Sequence, residues 1–194
     1  MIIENIVIKY FSLLTLMETT RNELPYKLKR FLDKMKTDLD TQFYYYGSVQ
    51  RNDYISGKSD IDICIFTDNE TSMVTRVAHF LRVPKTDFKR MVIINDDDTI
   101  YGHKIKYTTN QTNDKNEPFV CEFSIYNNKF KSYLMDFYHK SNNVPVFILI
   151  LLYILKKMFY IFPVMSKKRY NKIKDYIFTK MYLKFKKRSF FLLD

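Results

Sequence analysis

The chain has 194 residues, of which 46% are apolar and 17% aromatic, so it can bury a sizeable core, and wholesale disorder is excluded. Its 3 Gly and 5 Pro residues are too few for a collagen-like or glycine-rich repeat protein. Two cysteines, Cys64 and Cys121, exclude a disulfide framework and a four-cysteine zinc site. We interpret them as buried, reduced thiols.

The net charge of +11 is concentrated near the end of the chain. Residues 156–194 hold 12 Lys/Arg against 2 Asp/Glu, whereas residues 1–155 hold 20 against 19. A positive field concentrated in this way attracts a polyanion, either a nucleic acid or an anionic membrane surface.

The sequence shows neither a signal peptide nor a convincing membrane span. Its first twenty residues lack a basic leader and a small-residue cleavage site. The apolar run 144–155 has twelve residues, whereas a span needs roughly 20, and a longer run would bury Lys156 and Lys157 in the membrane. We expect a core helix here and an intracellular, cytoplasmic protein.

The elements predicted in chain order alternate between helical and strand patterns. Helical spacing of apolar residues predicts helices over 2–18, 22–38 and 71–81, and further helices from 130, from 145 and from 166 to about 187. Strand patterns cover 42–46, 60–67, 88–94, 99–108 and 118–126, with a turn at 95–98 and a loop at 110–116. We predict an α+β (mixed α/β) fold in which a core, residues 1–140, precedes a strongly basic C-terminal helical extension, residues 141–194.

Two aspartates on one predicted strand indicate metal chemistry. Asp60 and Asp62 are two residues apart, so both side chains point to one face, with Cα atoms roughly 6.5–7 Å apart. Ile61, Ile63 and Ile65 fill the opposite face. Such a carboxylate pair can hold two hard cations, and without a counter-ion its two like charges would be costly.

A Gly-Ser turn precedes this strand. Gly47 and Ser48 follow a predicted strand, and eleven residues separate Ser48 from Asp60, enough to cross to a neighbouring strand. Glycine tolerates a positive φ, so the chain can turn tightly here, and free N–H groups and a hydroxyl at such a turn bind phosphate oxygens.

The order strand, Gly47-Ser48, eleven residues, Asp60-Ile61-Asp62 resembles the DNA polymerase beta-like nucleotidyltransferases over residues 25–140. The resemblance implies a small mixed sheet flanked by helices, a Gly-Ser turn that binds the nucleotide's phosphates, and two aspartates that bind two Mg²⁺ ions, for which Mn²⁺ can substitute. It also implies a third carboxylate on a later strand. Glu122, the lone acid in the apolar segment 119–125, is the best match, although many family members have Asp there.

The mechanism that this resemblance implies is nucleotidyl transfer. An acceptor hydroxyl attacks the α-phosphorus of a nucleoside triphosphate such as ATP, and pyrophosphate leaves. Asp60 and Asp62 bridge the two ions, whereas Glu122 binds only the catalytic ion and helps to lower the pKa of the attacking hydroxyl.

The sequence favours one acceptor for the transferred nucleotide but leaves alternatives open. The basic segment 156–188 has apolar residues at helical spacing and a lysine-rich surface, which favours transfer to the 3′ end of RNA. The same segment could instead lie on an anionic membrane or be only a solvated face. Alternative functions are transfer to a protein or small molecule, as in toxin, antitoxin or resistance enzymes, and RNA binding by an inactive family member.

Overall fold

The structure, a computed structural model, describes residues 16–94, 99–109, 118–162, 164–177 and 189–193. Four predictions therefore lie wholly or mostly outside the described residues. They are the helix over 2–18, the turn at 95–98, the loop at 110–116 and the end of the last helix beyond residue 177.

In the part of the chain that the structure describes, six strands form one mixed sheet, and five of them were predicted from the sequence. In chain order they are β1 (Phe43–Tyr46), β2 (Ile61–Thr67), β3 (Lys89–Ile94), β4 (Thr99–Thr108), β5 (Val120–Asn127) and β6 (Ser189–Leu193). Their spatial order is β1-β2-β5-β4-β3-β6, in which β2 and β5 run parallel and every other pair is antiparallel. The fold is thus the mixed α/β fold expected from the sequence.

The sixth strand corrects the expectation that the C-terminal extension is helical throughout. β6 pairs with β3 in antiparallel register, so the chain returns to the core sheet after its helices. The physical reason is visible in the run Ser-Phe-Phe-Leu-Leu, because aromatic and apolar residues without helical spacing favour a strand at a sheet edge.

Among the described residues, five α-helices of at least ten residues accompany the sheet, close to the predicted positions. They are α1 (Tyr26–Leu39), α2 (Glu70–Leu81), α3 (Lys131–Asn142), α4 (Val146–Tyr160) and α5 (Lys167–Tyr176). Local chemistry fixes several of their starts: Pro25 precedes α1, and the Asn69 side chain accepts a hydrogen bond from the Ser72 N–H at the start of α2.

The alternation of side chains along β2 divides the core between the two faces of the sheet. Ile61, Ile63 and Ile65 pack under α1 and α2, as predicted. Cys64 and Phe66 pack on the other face, against α3. Because side chains alternate along a strand, Asp62 points to the same face as Cys64, beside α3.

Helices α4 and α5 form a third apolar cluster with their own contacts. Its buried residues are Val144, Ile148, Leu152, Leu155, Tyr170 and Ile177. The predicted core helix is therefore buried along one side only, and the other side of α4 exposes side chains such as Phe147 and Ile150.

Among the described residues, no single helix is long and apolar enough to cross a membrane. One bent pair, Asn128–Asn142 with Val146–Tyr160, reaches the necessary length only by joining two helices at 80°.

Candidate active site

The three predicted carboxylates lie near the N-terminal ends of two neighbouring parallel strands, β2 and β5. Asp62 and Glu122 occupy paired positions on the parallel strands β2 and β5, so their side chains share one face. Asp60 lies one residue before β2, and Tyr46, the last residue of β1, pairs with Asp62. All three carboxylates line the same cavity. The parallel β2–β5 pairing thus makes neighbours of acids that are 60 residues apart in sequence.

Gly47 is required here by close packing as well as by conformation. Its φ is +73°, and a Cβ at this position would lie 2.1 Å from Asp62 Oδ2. The turn is therefore pressed against the central aspartate, and only glycine fits. The Gly47 N–H donates to Asn142 Oδ1 at 3.0 Å, so it is not the free donor expected from the sequence. Ser48, which is nearly buried, lines the cavity beside it.

Asp62 is a buried carboxylate that has two further carboxylates near it. Burial, followed by the charge of Glu122, raises the pKa of Asp62 to about 7. Asp60 raises this pKa further, whereas Lys174 and Lys104 oppose the shift. A carboxyl group in this position gains from a nearby cation, because the cation offsets both the burial and the repulsion.

Two lysines that the sequence analysis did not single out contact the other two carboxylates. Lys104 Nζ lies 2.6 Å from Glu122 Oε1, and Lys106 forms an ion pair with Asp60. Both lysines lie on β4, where the intervening Ile105 is buried on the opposite face. The sequence does show two lysines flanking an isoleucine, which predicts that both lysines share one face of the strand. It does not show that they meet the carboxylates, because that depends on β4 lying beside β5.

The three carboxylates fit a divalent cation by their chemistry and by their backbone positions. Carboxylate oxygens are the hard ligands that Mg²⁺ prefers. The pKa of Asp62 is raised first by burial and then by the charge of Glu122, and a bound cation would oppose both effects. Their side chains nevertheless do not converge: in the described part of the chain, no three His, Cys, Asp or Glu side chains are grouped to hold a metal. Lys104 and Lys106 engage two of the carboxylates, so a cation would have to replace these ion pairs.

The C-terminal extension forms one wall of the cavity, whose volume is about 780 Å³. Gly47, Ser48 and the carboxylates line the core side. The extension contributes Lys156, Phe159, Tyr160, Lys167, Tyr170, Asn171 and Lys174. A cavity of this size accommodates a small-molecule ligand. The basic segment therefore faces the site itself, which the sequence alone did not indicate.

A buried ion cluster ties the extension to the loop before Asp60. Lys156 of α4 contacts Asp53 Oδ2 at 3.1 Å and donates to the Asp53 carbonyl at 2.9 Å and to Ser59 Oγ at 3.2 Å. Arg51 Nε donates to Asp53 Oδ1 at 2.8 Å. Burial lowers the pKa of Lys156 to about 8, which still leaves it charged at pH 7. Because Ser59 directly precedes Asp60, this cluster anchors the chain next to the site.

A packed layer of aromatic side chains supports the carboxylates from within the fold. The rings of Tyr46 and Tyr138 stack with centroids 4.0 Å apart, and the Tyr138 and Tyr126 hydroxyls lie 3.0 Å apart.

Cys64 and Cys121 are buried and form no disulfide, and burial raises the pKa of both thiols, which makes them poor nucleophiles. The interpretation of these cysteines as buried thiols is confirmed.

The chain is similar to solved nucleotidyltransferase structures, at low identity. Cid1 poly(U) polymerase with MgGTP bound is 15% identical, with 69% of this chain and 43% of that chain covered and a TM-score of 0.40. Cid1 with its short product ApU is 14% identical, with 70% and 42% covered and a TM-score of 0.42. A cytoplasmic RNA terminal U-transferase is 14% identical, with 68% and 40% covered and a TM-score of 0.40. The chain thus spans less than half of these chains.

No curated protein sequence matches the chain significantly. The family model described as the nucleotidyltransferase domain, however, matches residues 27–131, more than half of the chain. This match includes the Gly47-Ser48 turn and all three carboxylates, and it confirms the family resemblance inferred from the sequence. The chain belongs to the nucleotidyltransferase domain family.

Proposed function

We propose that the protein is a metal-dependent nucleotidyltransferase that moves a nucleoside monophosphate from a nucleoside triphosphate to an acceptor hydroxyl, best matched by the 3′ end of RNA. One observation carries the proposal. Asp60, Asp62, Glu122 and the Gly47-Ser48 turn line a single cavity, together with lysines of the basic extension.

In the proposed reaction, the acceptor oxygen forms a bond to the α-phosphorus. The bond between that phosphorus and the oxygen it shares with the β-phosphate breaks. Pyrophosphate leaves, and the hydroxyl proton passes to a nearby base. Asp60, Asp62 and Glu122 would hold two Mg²⁺ ions, or Mn²⁺ in their place. Such ions supply charge neutralisation and lower the pKa of the attacking hydroxyl. The protein's own contribution is to position both reactants and to exclude water.

The extension supplies the groups that a nucleotide needs. Lys167 and Lys174 reach the cavity from α5 and would pair with phosphate oxygens through charge-assisted hydrogen bonds. Tyr160 and Tyr170 line the same wall, and the Tyr170 ring stacks on Phe159 with centroids 4.4 Å apart. Such a fixed aromatic wall can stack a nucleobase with little preference for its identity.

The arrangement of α5 supports RNA as the acceptor. Lys167, Lys168 and Arg169 are all exposed, and Lys167 also lines the cavity. A polyanion held by these three cations would therefore lie beside the cavity that the carboxylates line. Residues 156–194 carry a balance of 12 Lys/Arg against 2 Asp/Glu, which favours a phosphate backbone over a neutral small molecule.

The test is the effect of removing the carboxylate charge on nucleotide transfer. We expect Asp60→Asn and Asp62→Asn each to lower transfer by at least ~10²-fold, because each removes a group that stabilises the transition state. Asp136→Asn is the matched control, since Asp136 is exposed on α3 and does not line the cavity. Wild-type turnover in either active-site variant would refute the assignment.

A further inference from the structure

Lys104 and Lys106 place two positive charges among the three carboxylates. Lys104 contacts Glu122, Lys106 contacts Asp60, and all four side chains line the cavity with Asp62. Three carboxylates with two ammonium groups leave a formal charge of about −1 when Asp62 is ionised. A site that binds two divalent cations unaided would need far more negative charge than this.

The two lysines are also only partly fixed in place. The side chain of Lys104 is 30% exposed and that of Lys106 is 46% exposed, so both ammonium groups border the open cavity. A lysine side chain has four rotatable carbon–carbon bonds and presents a mobile point charge. Each ammonium group can therefore leave its carboxylate for another anion that enters the cavity.

We propose that Lys104 and Lys106 exchange partners when a nucleotide binds: they hold Glu122 and Asp60 in the nucleotide-free protein and contact the triphosphate once it enters. The triphosphate brings about four negative charges, which attract the ammonium groups and free the carboxylates for cations. Metal ions then bind tightly only together with the nucleotide. This inference rests on the proposed function, because it assigns the two lysines to the substrate of that same site.

The exchange predicts effects of opposite sign when the lysines are removed. Repulsion between a divalent cation and an ammonium group about 5 Å away corresponds to roughly a 10-fold loss of affinity even with water-like screening. Lys104→Met and Lys106→Met should therefore each tighten binding of Mn²⁺ alone by about 10-fold. The same variants should weaken binding of a non-hydrolysable nucleoside triphosphate in the presence of a chelator. A merely structural role would move both affinities in the same direction.

The experiment measures free Mn²⁺ by electron paramagnetic resonance, without nucleotide, and binding of the labelled triphosphate analogue by equilibrium dialysis with chelator. Lys34→Met, exposed on α1 and outside the cavity, is the charge-matched control and should behave like the wild type. Asp62→Asn identifies binding at the site. Circular dichroism verifies that each variant is folded.

Tighter Mn²⁺ binding together with weaker analogue binding in the Met variants supports the exchange. Unchanged Mn²⁺ binding that still depends on Asp62 overturns the inference and leaves the proposed function standing. Tighter Mn²⁺ binding with unchanged analogue binding also overturns the exchange, because the lysines would then be counter-ions only. If no variant binds Mn²⁺ even with the analogue present, the proposed metal-dependent function fails, and the inference fails with it.

Discussion

Replacing Asp53 by asparagine tests the ion cluster that joins the C-terminal extension to the catalytic core. The Asp53 side chain is fully buried, and its two cationic partners, Arg51 and Lys156, are 5% and 6% exposed. Arg51 approaches the carboxylate at 2.8 and 3.2 Å, and Lys156 approaches it at 3.1 Å. Asp53→Asn removes a negative charge that pairs with both cations, while keeping nearly the same side-chain shape.

The expected cost is large because both cations remain buried after the change. Removing one partner of a buried ion pair typically destabilises a protein by 3–5 kcal/mol, so we expect a loss of about 3–5 kcal/mol from the free energy of unfolding. The total for a single domain is only about 5–15 kcal/mol. Asp136→Asn is the control. Its partner Lys140 lies one helical turn away, and the two side chains are 51% and 65% exposed, so we expect a change below about 0.5 kcal/mol.

Urea unfolding followed by far-ultraviolet circular dichroism measures both changes. Burial raises the pKa of Asp53, but the hydrogen bond and charge of Arg51 and the charge of Lys156 lower it by more, so its net shift is downward. The stabilisation by this carboxylate is therefore complete above about pH 4 and is lost as the pH falls below that value. Equal destabilisation by Asp53→Asn and Asp136→Asn at pH 7 would refute the reasoning.

Three further predictions concern the site and its extension. Asp62→Asn should stabilise the metal-free protein by up to about 4 kcal/mol at pH 8, and by progressively less as the pH falls towards 4. The reason is that the pKa of about 7 makes the folded wild type lose stability as the pH rises from about 4 to 7. Thermal unfolding with a chelator measures this. Gly47→Ala should weaken nucleotide binding, measured by dialysis, because its Cβ would strike Asp62. Neutralising Lys167, Lys168 and Arg169 should reduce the salt slope of RNA binding by roughly 2, measured by titration at several salt concentrations; an unchanged slope would exclude these residues from the interface.

The carboxylates could be predicted because their signals are local. Asp60 and Asp62 follow the period of a strand, and the isoleucines between and after them are buried on the opposite face, as expected. Glu122 was selected as the lone acid in an apolar segment, and it pairs with Asp62 across β2 and β5. Its role as the third carboxylate stays a prediction. The bounds of most helices and strands followed from apolar spacing for the same reason.

The lysine contacts could not be predicted because they depend on the order of strands in the sheet. Lys104 meets Glu122 only because β4 lies between β5 and β3, and the sequence does not encode that order in any local pattern. Lys156 and Asp53 are 103 residues apart, and burial of a lysine next to an apolar helix looks unfavourable until its partner is known. The contacts that sequence reasoning missed are therefore those between residues far apart in the chain.

Acceptor-resolved labelling tests the central claim most directly. Purified protein is incubated with Mg²⁺ or Mn²⁺ and each α-labelled nucleoside triphosphate, with RNA, DNA, cell-extract protein or no acceptor in parallel, and with an Asp60→Asn/Asp62→Asn double variant as control. We predict label on RNA 3′ ends that depends on the metal and disappears in the variant. Label on protein would instead favour modification of a protein. The absence of label on every acceptor, from folded protein that still binds RNA, would contradict the assignment as an active nucleotidyltransferase.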